Sequence, residues 1–128
     1  MMRLPPQLKN QYDQLIQTEQ RIRQFNSQRN QWELQKATLE NAISELEEAK
    51  EKNPDVEIYK NAGAILIESP NIDELLEELK EKEELLTMRL KTVKKQIDRV
   101  SQQYEQMKQK FQQSVQQMSQ GQNFQAPM

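Results

Sequence analysis

Val56-Glu57-Ile58-Tyr59-Lys60-Asn61-Ala62-Gly63-Ala64-Ile65-Leu66-Ile67-Glu68-Ser69 lies near the middle of the chain and sets its architecture. It is the one part of the chain that does not read as helix. Val56, Ile58 and Tyr59 on one side and Ile65, Leu66 and Ile67 on the other flank Asn61-Ala62-Gly63. Asn and Gly tolerate the left-handed backbone of a tight turn. The pattern therefore predicts a β-hairpin over 56–68, with strands near 56–60 and 64–68. A two-stranded hairpin alone is marginal in water, and both of its outer edges present unpaired N–H and C=O groups. The second strand, Ala64-Ile65-Leu66-Ile67, is apolar on both faces, which suits a strand covered on both sides. Nothing else in the chain offers a sheet partner. The hairpin is expected to complete its sheet with hairpins of other chains, and Val56, Ile58, Tyr59, Gly63, Ile65, Leu66 and Ile67 are the candidate assembly residues.

Outward from the hairpin, both flanks read as long helices. Asn53-Pro54 closes the first, because the residue before proline is pushed out of the helical region and the ring cannot continue the ladder. Before it, from the helix-starting Pro5-Pro6 to Lys52, there is no further Pro and no Gly. With Leu8 at heptad position a, the a positions are Leu8, Leu15, Ile22, Arg29, Lys36, Ile43 and Lys50. The d positions are Gln11, Thr18, Phe25, Trp32, Leu39 and Leu46. Arg29 and Lys36 break an otherwise mostly apolar seam, so the coiled coil is imperfect here. After the hairpin, either Ser69 before Pro70 or Asn71 with Glu74 supplies an N-cap for the second helix. Its repeat is stronger. The a positions are Leu76, Glu83, Leu90, Ile97, Tyr104, Phe111 and Met118, and the d positions are Ile72, Leu79, Leu86, Val93, Val100, Met107 and Ser114.

These elements predict one mainly α domain over 1–128, with a first helix over 5–52, the hairpin over 56–68, a second helix over 70–119 and a disordered tail over 120–128. Gly121 suits the end of the second helix. The two helices match in length, roughly 70 Å each at about 1.5 Å per residue. They are expected to fold back as a long antiparallel coiled coil in which residue i faces about residue 124 − i.

Composition excludes several functions. The chain of 128 residues has no His and no Cys, which removes the commonest general base, thiolate chemistry and the usual zinc ligands. Its only glycines are Gly63 and Gly121, so no phosphate-binding loop is present. The carboxylates Glu45, Glu47, Glu48 and Glu51 have the spacing of a solvated helix face, with Lys50 and Lys52 beside them, rather than of a metal or acid–base site. No catalytic residue, metal site or cofactor is expected. No signal peptide or membrane span is apparent, which points to a cytoplasmic protein. Residues 40–84 hold 15 acidic and 5 basic side chains, while the rest of the chain holds 5 acidic and 13 basic. The basic residues Lys91, Lys94, Lys95, Arg99, Lys108 and Lys110 are interrupted by Asp98 and Glu105 in a chain of pI about 5.3, a poor footprint for nucleic acid. Gln makes up 11 of the 24 residues over 102–125 and serves as a neutral helix former.

Leu8, Tyr12, Leu15 and Ile16 of the first helix are expected to meet Tyr104, Met107, Phe111, Val115 and Met118 of the second. Most belong to the seam. Ile16 and Val115 fall outside the a and d positions and the last turns should fray, which leaves two readings: all of these residues are coiled-coil seam, or the frayed end also offers apolar surface to a partner.

Ile58-Tyr59-Lys60-Asn61-Ala62-Gly63-Ala64-Ile65-Leu66-Ile67, set between two long heptad helices, resembles the signature of prefoldin subunits. Room for a single hairpin makes the likeness one to the β-type subunit. The resemblance covers about 5–118. It implies a hetero-oligomer of two α-type and four β-type subunits whose hairpins form an intersubunit β-barrel from which the coiled coils hang. It further implies an ATP-independent chaperone that binds unfolded proteins at the coiled-coil tips and passes them to a group II chaperonin. On this chain the client contacts would be Leu8, Tyr12, Leu15, Ile16, Phe111, Val115 and Met118. No nucleic acid or membrane partner is implied. The rival reading is a structural tether or scaffold that assembles through the hairpin and binds no client.

Overall fold

In a computed structural model, the backbone of residues 4–125 and the side chains of residues 4–119 are described. The order is α1 (Pro6–Lys52), β1 (Ile58–Asn61), β2 (Leu66–Ser69) and α2 (Ile72–Gln125). The strands form one antiparallel pair, with Ile58 opposite Ser69 and Asn61 opposite Leu66.

Local chemistry sets the junctions. Pro5 supplies the first accepting carbonyl of α1, to the amide of Lys9 at 2.9 Å. Beyond Lys52, the side-chain oxygen of Asn53 accepts from the amide of Asp55 at 3.0 Å and its carbonyl accepts from Val56 at 3.0 Å. That turn occupies Val56, so β1 starts at Ile58 and not at 56. In the hairpin loop the amide of Ala62 donates to the carbonyl of Ile65 at 2.9 Å, and Asn61 Oδ1 accepts from the amide of Gly63 at 3.1 Å. Gly63 has φ of 84°, the left-handed conformation that favours glycine. This four-residue loop takes up Ala64 and Ile65, and β2 starts at Leu66 and not at 64. Of the two possible caps for α2, Asn71 is used. Its Oδ1 accepts from the amides of Asp73 at 3.0 Å and Glu74 at 3.2 Å, so the helix begins at Ile72, two residues later than expected.

The other end of α2 departs further from expectation. The helix passes 119 and Gly121 and continues to Gln125. A glycine within a helix costs about 1 kcal/mol relative to alanine, and the glutamines around it are good helix formers. The next proline is Pro127. Of the tail expected to be disordered, 120–125 is thus helical in backbone, and 126–128 lies outside the described residues.

The helices contribute to two compact units, one from residues up to 28 and from 93 onward, the other from 29–92. In the first unit Leu8, Leu15, Thr18, Val93 and Val100 are buried. In the second, Ile43, Leu76, Leu86 and Leu90 are buried together with Ile58 from β1. Every buried helical residue here occupies an a or d position, so the 3.5-residue repeat accounts for the core of each unit. Thr18 is accommodated by donating its hydroxyl to the carbonyl of Gln14 at 2.7 Å. The seam breaks at Arg29 and Lys36 remain half-buried. Lys36 reaches Glu40 at 3.8 Å, and Arg29 Nε is buried without a hydrogen-bond partner.

Contacts within each unit set the register. In the first, the rings of Tyr12 and Phe111 lie 6.0 Å apart and Thr18 Oγ1 is 3.6 Å from Met107 Sδ. In the second, Lys80 pairs with Glu47 at 2.9 Å and Lys50 pairs with Asp73. Each pair lies within about three positions of the expected antiparallel register.

Candidate functional site

The chain has no His or Cys, and among the described residues no cluster of three or more acidic side chains could hold a metal ion; what the surface offers is exposed apolar side chains. No helix among the described residues is long and apolar enough to cross a membrane. The large apolar side chains left exposed fall into three groups.

The first is the hairpin. Tyr59, Ile65, Leu66 and Ile67 are exposed, at 53%, 62%, 69% and 51%. Leu66 and Ile67 are consecutive in β2 and so point to opposite faces, leaving an aliphatic strand bare on both sides. Val56 is half-buried, Gly63 sits exposed in the turn, and Ile58 is buried within its own chain. Ile58 therefore anchors the hairpin to the helices, while the residues after the turn stand free. A polar tie adds to that anchor. Glu78 of α2 accepts from Lys60 of β1 and from Lys82, each at 3.3 Å. Hydrogen bonds from Lys82 and Lys60 hold the Glu78 carboxyl below the usual carboxylate range. A depressed carboxylate stabilises the fold above its unfolded-state pKa, and that contribution fades as pH falls through the folded value. Glu78→Gln is thus expected to lower the melting temperature slightly near neutral pH and not in acid. Thermal melts across that range check this, and a difference that persists in acid would exclude the tie as its source. Next to it, Tyr59 donates its hydroxyl to Glu57 at 3.1 Å, and this bond pushes the phenol pKa up.

The second group lies in the unit containing the start of α1. Tyr12, Ile16 and Val115 are exposed, and so is Leu4 just before the helix. Leu8 and Leu15 are buried in the seam, while Phe111, against Tyr12, and Met118 are half-buried. Tyr12 and Ile16 are four residues apart and share one face of α1. The predicted residues thus divide into a buried seam that holds the helices together and an exposed fringe beside it.

The third group, Leu34, Leu85 and Met88, was not anticipated from the sequence. In the heptad frame these residues sit at f, c and f, outward positions that ordinarily carry polar side chains. Inspection of the outward positions, and not only of a and d, is the signal that finds them.

Two long helices joined by one hairpin whose second strand is bare on both faces define a coiled-coil subunit with an unsatisfied sheet. Known proteins make that class specific. The sequence profile described as "Prefoldin subunit" matches residues 9–118. The prefoldin subunit beta of Methanothrix thermoacetophila is 43% identical over 97 residues, covering 76% of this chain and 78% of that protein. The prefoldin subunit beta of Methanococcoides burtonii is 36% identical over 97 residues, covering 76% and 80%. In three dimensions, the prefoldin beta subunit from Thermococcus strain KS-1 superposes with a TM-score of 0.74 at 24% identity, over 89% of this chain and 96% of that one. The chain belongs to the prefoldin subunit family, in its beta class, a family of chaperone subunits that assemble with other subunits.

Proposed function

We propose that this chain is the β-type subunit of an ATP-independent holdase in the cytoplasm. It assembles with α-type subunits and further copies of itself, two α to four β, through a β-barrel built from the hairpins. The complex holds non-native polypeptides at the coiled-coil tips and delivers them to a group II chaperonin. Support for the assembly role comes from Ile65, Leu66 and Ile67, which stand more than half exposed in the single chain. The observation that carries the client role is the exposed fringe of Tyr12, Ile16 and Val115 beside the seam. Phe111 and Met118 supply a half-exposed apolar flank, and Leu8 and Leu15 hold the backbone that presents it.

Weak individual contacts suit a holdase. Each apolar side chain covered by a client gains about 1.5–3 kcal/mol, less the cost of immobilising both partners. One tip binds weakly and releases quickly, whereas several tips acting together raise avidity by about 10²–10⁴. Capture and release then need no nucleotide.

The test is light scattering from a chemically unfolded protein, mixed without ATP with the complex of this chain and an α-type partner. Intact complex should suppress scattering. With Tyr12→Ser, Ile16→Ser and Val115→Ser combined, half-suppression should need at least about tenfold more complex, because avidity multiplies the loss at each tip. These side chains are exposed, so circular dichroism should show the helices unchanged. A complex that assembles and never suppresses scattering would make the chain a tether.

A further inference from the structure

Leu34, Leu85 and Met88 belong to neither the hairpin nor the tip fringe. Leu34 and Leu39 of α1 and Leu85 and Leu86 of α2 wall an open groove of about 500 Å³. Leu34 is 70% exposed and Leu85 49%, so these walls are wet in the isolated chain. Met88 follows Leu85 by three residues, adjoins it on the helix surface and is 68% exposed. The charged side chains lining the groove are Lys82 and Arg89, both cationic. That sign runs against the neighbouring sequence, since residues 40–84 carry 15 acidic and 5 basic side chains. Lys82 shares Glu78 with Lys60, so the three together keep a net positive charge. The Arg89 guanidinium carbon lies 5.9 Å from the centroid of Trp32, the chain's single tryptophan.

Apolar walls between two cations fit a polypeptide segment with apolar side chains at its centre and carboxylates at its ends. A second copy of the same face fits poorly, because two-fold pairing would set Lys82 and Arg89 against cations of the same kind. We propose that this groove is a second binding site for non-native polypeptide, distinct from the tip fringe and selective for short apolar segments flanked by Asp or Glu. The inference rests on the holdase reading, and adds a preference that the uncharged fringe of Tyr12, Ile16 and Val115 lacks. Apolar burial supplies the affinity, and the cations supply the choice between segments.

Trp32 provides the readout. Tryptophan-free peptides with one Leu-rich core and Glu, Ser or Lys flanks would be titrated into the complete complex while tryptophan emission is followed. Trp32→Phe supplies the blank. The Glu-flanked peptide should shift the Trp32 emission and bind at least about tenfold more tightly than the Lys-flanked one at low salt, with added salt narrowing the gap. Leu34→Ser with Leu85→Ser should weaken that binding by about tenfold or more. Lys82→Glu with Arg89→Glu should reverse the preference between flanks. No Trp32 response to any peptide would overturn the proposal. So would dissociation of the complex in the Leu34→Ser/Leu85→Ser variant, which would make the groove an interface between subunits. Tyr12→Ser with Val115→Ser separates the two readings. If these changes leave scattering suppression intact while Trp32 still responds, the tip reading fails and the groove stands.

Discussion

Leu66→Thr combined with Ile67→Glu is expected to leave this chain folded and helical but unable to join an assembly. Both side chains are more than half exposed in the single chain, so their replacement removes little intrachain packing. Threonine is β-branched, which a strand favours. Glutamate at 67 faces Lys60 across the hairpin, an opposite-charge pair that supports the two strands. The change therefore falls on whatever covers β2 from outside. Each lost apolar contact is worth about 1.5–3 kcal/mol, so the pair should weaken each subunit contact by about 10²–10⁴-fold. Analytical ultracentrifugation of the variant chain mixed with the proposed α-type partner should show free subunits at micromolar concentration, with an unaltered far-ultraviolet spectrum. A complex of unchanged size would mean that assembly does not run through β2.

Leu90→Ala is expected to destabilise the helix pair by about 2–5 kcal/mol. Leu90 is only 5% exposed and holds an a position in the unit formed by 29–92, so its removal leaves a cavity that neighbouring side chains fill only in part. The figure is a large share of the whole, because domains of this size are stable by about 5–15 kcal/mol in total. Urea unfolding followed by circular dichroism measures it, at one protein concentration because assembly adds its own stabilisation. A shift below about 1 kcal/mol would show that the seam closes without Leu90. Together the two variants separate the forces in this protein. In the proposed assembly, seam residues hold each chain's helices together and strand residues join chain to chain.

Much of this was legible in the sequence. The heptad frame puts Leu8, Leu15, Ile43, Leu76, Leu86, Leu90, Val93 and Val100 at a and d, and all of them are buried. That inference works because helical periodicity is a local property, and burial follows from which face repeats. Two long helices around a single hairpin were equally plain, since Pro54, Gly63 and Pro70 act within a few residues of themselves. The prefoldin resemblance rested on Ile58-Tyr59-Lys60 and Gly63 in that setting, and the sequence and structural relatives agree with it. Boundaries were less legible. The Asn53 turn shortened β1, the loop closed by Ala62 and Ile65 shortened β2, and α2 ran through Gly121. Each depends on hydrogen bonds competing over differences of about 1 kcal/mol, which residue type alone does not rank.

The candidate interaction surfaces divided in the same way. The helix–hairpin–helix order, the apolar character of β2 and the absence of His and Cys are all read from the sequence, whereas the register of the helices is set by contacts such as Tyr12 with Phe111 and Glu47 with Lys80. Packing in three dimensions turns Ile58 inward and leaves Ile65, Leu66 and Ile67 bare, and it seals Leu8 and Leu15 while Tyr12, Ile16 and Val115 are exposed. It also decided that Leu34 and Leu85, far apart in sequence, wall one groove with Lys82 and Arg89. The physical reason is that periodicity reports which side of its own helix a residue occupies. Whether that side is covered depends on a second helix brought alongside, and so on packing between residues distant in the chain.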